Sequence, residues 1–185
     1  MTEKFLFRGL LQKIATKKHD VLIFDNGDYQ GFPDGYFRRG NDLIIFEVKD
    51  AFFSEKAIST ASYHEIKSVI DTKYNNPKKG TGQLIKQLNR LLKSPYENPT
   101  RYKYSRNLRV YPVIVYTDRF FSMPGINSYL QAEFANQVKV ARLGKQFKKV
   151  RPLTFLSIHF LINHIDILKE KNSSLPTLID SYLKK

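Results

Sequence analysis

Apolar positions change period several times along the chain, and each change marks an element. Phe5, Leu6, Leu10, Leu11 and Ile14 recur at helical spacing, which predicts an amphipathic helix over 3–15 with Thr2 placed to cap it. Val21 to Phe24 reads as a short strand and Asp25-Asn26-Gly27-Asp28 as a turn. Two apolar segments then flank Gly40-Asn41. That step suits a two-residue hairpin loop, because Gly accepts a positive φ at the first loop position. Leu43, Ile44, Ile45, Phe46 and Val48 form a nearly continuous apolar run, the pattern of a strand buried on both faces.

Downstream, Ser54 caps a predicted helix that runs to about Lys73, and Tyr74 to Gly80 is rich in turn formers and cations. A helix over about 81–93 has Leu84, Leu88 and Leu91, with Ile85 and Leu92, as its core face. Gln83 with Lys86 and Gln87, and each of those two with Arg90, are three or four residues apart, so the four share a polar face. Ser94 to Arg109 reads as a loop, and Val110 to Tyr116 as a buried strand whose Pro112 predicts an edge position or a bulge. Helical patterns over 126–140, 159–169 and 175–183, with a strand over 153–158, complete the chain. The sum is an α/β fold over one domain, residues 1–185, with a mixed sheet flanked by helices and a C-terminal helical extension.

Composition narrows the partners. Of 185 residues, 42% are hydrophobic and 14% aromatic, which is globular rather than disordered. Thirty-one Lys and Arg against 17 Asp and Glu leave a charge of +14, so a polyanion such as nucleic acid is the expected partner. An acidic protein or an anionic membrane surface would also meet that charge. There is no cysteine, which excludes disulfides, thiolate zinc sites and cysteine nucleophiles. No stretch is apolar enough to span a bilayer and no signal peptide is apparent, so the expected location is cytoplasmic.

The candidate chemistry lies in the hairpin. A loop at Gly40-Asn41 pairs 38 with 43, 36 with 45 and 34 with 47, so Asp34 faces Glu47 with Cβ atoms roughly 4.5 to 5.5 Å apart. Lys49 shares that face. Two close carboxylates resist ionising together, and a hard divalent cation such as Mg²⁺ would resolve the conflict. Such a cation also polarises a phosphoryl oxygen and acidifies bound water, so the arrangement points to hydrolysis of a phosphate ester. The same residues have a plainer reading: Pro33-Asp34 as turn chemistry, and Glu47 with Lys49 as an ion pair on a half-exposed strand.

Pro33-Asp34, the turn, and Glu47-Val48-Lys49 resemble the signature of the PD-(D/E)XK nuclease superfamily, the restriction-endonuclease-like fold. The order of helix, three strands, helix and strand over residues 1–120 is similar to that family's core. The resemblance implies that Asp34, Glu47 and the Val48 carbonyl hold Mg²⁺, with Mn²⁺ as a substitute, and that Lys49 serves the attacking water. Gln83 matches a polar residue the family carries on the following helix, whereas position 87, a Tyr in some relatives, is Gln here. Glu3 stands where some relatives add a first-helix acid to the metal. Lys78, Lys79, Lys86, Arg90, Arg101 and Lys103 would contact nucleic acid, with Tyr96, Tyr102 and Tyr104 interleaved among cations in the 94–109 loop. The implied activity is a metal-dependent nuclease, with DNA favoured over RNA, acting as a homodimer or in a larger complex. The alternative is an inactive nucleic-acid-binding module on the same fold.

Overall fold

The computed structural model describes residues 2–25, 27, 31–60, 62–93, 104–170 and 174–183. Helix α1 (Thr2–Ile14) leads into strands β1 (Asp20–Ile23), β2 (Gly35–Arg39) and β3 (Asp42–Lys49). Helices α2 (Glu55–Thr60) and α3 (Tyr63–Lys73) follow, then a small hairpin of β4 (Asn75–Asn76) and β5 (Lys79–Gly80), and helix α4 (Thr81–Lys93). Strand β6 (Arg109–Tyr116) precedes α5 (Ile126–Val140), β7 (Lys149–Val150), β8 (Thr154–Ser157), α6 (Ile158–Asn163), α7 (Ile165–Lys169) and α8 (Leu175–Tyr182). No described helix is long and apolar enough to cross a membrane.

The sheet is mixed, with six strands. β1, β2 and β3 are antiparallel neighbours, and β6 lies parallel to β3 on its other side. β7 and β8 both run parallel to β6, pairing with its first and second halves. Alternation along β3 divides the core. Leu43 and Ile45 pack with Ile70, Leu84, Leu88, Leu91 and Leu130, under α3, α4 and α5. Ile44, Phe46 and Val48 pack with Phe7, Leu11, Ile14, Leu161, Leu168 and Ile179, under α1 and the three C-terminal helices. Each fully buried side chain of this size adds roughly 1.5–3 kcal/mol, so covering both faces makes β3 the anchor of the fold.

Several expectations need correction. The buried stripe of α1 is Phe7, Leu10, Leu11 and Ile14, whereas Phe5 and Leu6 are exposed; positions 7, 10, 11 and 14 form the tighter helical row. The helix predicted over 54–73 is two helices, with Ser62 extended (φ −72°, ψ 126°) at the start of the second. The loop over 74–80 contains the β4–β5 hairpin, and β7 is an additional strand beside β8, which falls within the strand expected over 153–158. Pro112 lies in the central strand, neither at an edge nor in a bulge. Arg151 N–H donates to the Val110 carbonyl at 2.8 Å, so by alternation the nitrogen of Pro112 faces the break between β7 and β8. No ladder donor is required there.

Candidate active site

The β2–β3 hairpin sets the geometry. Gly40 has φ +60° and Asn41 has no positive φ, the pattern of a type II′ turn. Its register runs Arg38 with Leu43 and Tyr36 with Ile45, ending at Gly35 with Phe46. One step further, Asp34 stands at the level of Glu47. Backbone pairing stops there, and the Val48 N–H donates to Asp34 Oδ2 at 2.7 Å instead. A residue's N–H and C=O leave the same strand edge, so the Val48 carbonyl also faces the space beside Asp34.

Both carboxylates are buried, Asp34 6% and Glu47 2% exposed. Glu47 Oε1 accepts from Lys49 Nζ at 2.5 Å, and Oε2 accepts from Gln87 Nε2 at 3.0 Å. Lys49 Nζ donates to Gln83 Oε1 at 3.1 Å as well. From α1, Lys4 Nζ donates to Asp34 Oδ1 at 2.5 Å. Each of the four carboxylate oxygens therefore has a donor, and three elements supply them: β3, α4 and α1.

Burial pushes the Glu47 carboxyl up to about 7, the Asp34 charge pushes it the same way, and Lys49 and Gln87 oppose them. Burial works against the Lys4 ammonium, but its hydrogen bond to Asp34 and the charges of Asp34 and Glu47 prevail and hold it above the ordinary lysine value. A cation between the carboxylates would let Glu47 ionise at neutral pH. Two carboxylates and a main-chain carbonyl make an all-oxygen set that fits a hard divalent ion retaining several waters. Among the described residues no cluster of three or more His, Cys, Asp or Glu could hold a metal, so such an ion would complete its shell with water or substrate oxygens.

Of the residues expected from the sequence, Asp34, Glu47, Val48, Lys49 and Gln83 come together. Arg90, one row further along α4, lies beside the turn before Asp34: a Cβ built on Gly31 would be 3.3 Å from its Nη1. Lys86 is exposed on the flank of α4 and lines a cavity of about 520 Å³ between α4 and α5. Lys78 and Lys79 are exposed at the β4–β5 turn. Arg101, Lys103, Tyr96 and Tyr102, and the side chains of Thr2 and Glu3, fall outside the described residues. Sequence reasoning missed the roles of Gln87 and Lys4. Gln87 had a signal, its i+4 spacing from Gln83; Lys4 had none, because its reach to Asp34 depends on how α1 docks. Comparison of the chain with models of protein families, with curated proteins and with solved structures finds no match.

Proposed function

We propose that the chain is a metal-dependent nuclease of PD-(D/E)XK type, built on a restriction-endonuclease-like core and hydrolysing phosphodiester bonds of nucleic acid, DNA in preference to RNA. What carries this reading is the convergence of Asp34, Glu47 and Lys49 on one buried spot where the backbone ladder ends. An ordinary surface ion pair would not bury two carboxylates together, since each buried charge requires compensation. The net charge of +14 supports a polyanionic substrate.

Asp34, Glu47 and the Val48 carbonyl would hold Mg²⁺ or Mn²⁺, which when bound supplies positive charge against phosphoryl oxygens and acidifies water. Lys49 is held by Glu47 and Gln83, so its ammonium would donate a hydrogen bond that aligns the attacking water, and only as the neutral amine would it accept that water's proton. Gln83 positions Lys49. Gln87 fixes the second oxygen of Glu47 and so sets the angle of that carboxylate. Lys4, half-exposed on α1, holds Asp34 and adds positive charge at the mouth of the site.

The test is cleavage of supercoiled and linear plasmid with Mg²⁺, Mn²⁺ or EDTA. Cutting is expected with either metal and not with EDTA. Lys49→Ala and Asp34→Ala should each lower the rate by about 10²- to 10⁴-fold. If wild type cuts neither DNA nor RNA, and neither metal shifts its melting temperature, the inactive binding module replaces this reading.

A further inference from the structure

β3 and β6 run parallel and in register to their ends, with Lys49 opposite Tyr116, so the turns that follow them lie side by side. Each turn carries a Phe-Phe pair of opposite fates. Phe53 and Phe121 are 7% and 1% exposed, whereas Phe52 and Phe120 are 66% and 48% exposed. The inner rings pack with centroids 4.3 Å apart, and Phe121 continues into the core against Tyr74. The Asp118 carboxylate clamps the two turns together, accepting from the Phe53 N–H at 3.2 Å and the Phe120 N–H at 3.1 Å. Thr117 Oγ1 adds a second tie, to Asp50 Oδ1 at 3.1 Å. Two outward rings are thus held on anchored turns. Phe52 is three residues past Lys49, so their Cα atoms are within about 11 Å of each other by chain reach. Arg119, beside Phe120, is exposed.

We propose that Phe52 and Phe120 form a stacking platform for unpaired bases, so that the substrate of this site carries a single-stranded segment: an overhang, a flap or a free strand. The proposal rests on the nuclease reading for the position of the cut, but not for the binding. Bases within a duplex are already stacked on each other and offer no free face. A phenylalanine has no hydrogen-bonding group with which to read a groove, yet every unpaired base has a π-face for it, without regard to sequence. Arg119 supplies a phosphate contact next to the ring. With a charge of +14, the complementary occupant is a polyanion rather than another copy of this basic chain.

The experiment compares wild type with Phe52→Ala, Phe120→Ala and the double variant on fluorescent single-stranded, blunt-duplex and flapped oligonucleotides. Binding is read by anisotropy in EDTA and cleavage in Mg²⁺. The expected result is tighter wild-type binding to single-stranded and flapped DNA, weakened roughly tenfold or more in the double variant, with duplex binding and melting temperature unchanged. Phe52→Trp should retain the preference. Equal wild-type affinity for single strand and duplex, unaltered in the double variant while cleavage persists, overturns the platform and leaves the nuclease standing. A single-strand preference lost in the double variant, in a protein that never cuts, supports the platform and removes the nuclease. Self-association that the double variant abolishes, with nucleic-acid binding unaffected, overturns the platform in favour of a protein interface.

Discussion

Glu47 has almost no contact with water, and a second carboxylate faces it across the hairpin. Its carboxyl is pushed from an ordinary 4.5 up to about 7, first by burial and then by Asp34. The sign of the consequence follows. Between those two values the folded protein keeps a proton that the unfolded chain releases, so this group favours folding at the acid end and loses that contribution as pH rises through about 7. In EDTA, the melting temperature of wild type should therefore fall more steeply from about pH 5 to about pH 8 than that of Glu47→Gln. If the proposed cation binds there, proton and cation would compete for the same carboxylate, so Mn²⁺ should raise the wild-type melting temperature more at about pH 8 than at about pH 5. Calorimetry at the two pH values checks both; a Glu47→Gln profile as steep as wild type would remove Glu47 as the titrating group.

At the scale of elements, local chemistry made much of the frame readable. Gly40-Asn41 specified the hairpin register, because a two-residue loop leaves one pairing and a slip by one residue would turn Glu47 to the other face. The leucine row of α4 was equally plain. What local pattern could not resolve was competition between neighbouring apolar rows: α1 offers Phe5, Leu6 and Phe7, and only docking on the sheet selected Phe7. Glycines mark two further element-scale tests. A Cβ on Gly82, in the first turn of α4, would lie 2.5 Å from the Asn76 carbonyl and 2.7 Å from Pro77, so Gly82→Ala should cost at least about 2 kcal/mol and loosen the β4–β5 hairpin against α4. Gly9 lies mid-helix in α1 with nothing within 4 Å of such a Cβ, so Gly9→Ala should stabilise by about 0.5–1 kcal/mol. Urea unfolding of both variants measures the two effects, which have opposite signs.

For the molecule as a whole, the charge of +14 predicts binding dominated by counterion release. Raising salt from about 50 to about 200 mM should weaken oligonucleotide binding by on the order of 10³-fold for about six phosphate contacts. A flat salt profile, measured by anisotropy, would point away from nucleic acid. The sequence by itself determined the α/β class, the hairpin register and the meeting of Asp34, Glu47 and Lys49, since each follows from the period of a strand or the length of a turn. Only the tertiary structure decided which side chains surround those three. Lys4 and Gln87 reach the carboxylates from helices on opposite faces of the sheet, 30 and 40 positions from their partners. Pro112 fits a central strand only because β7 and β8 divide beside it. Contacts of this kind depend on how whole elements dock, and no local period along the chain encodes them.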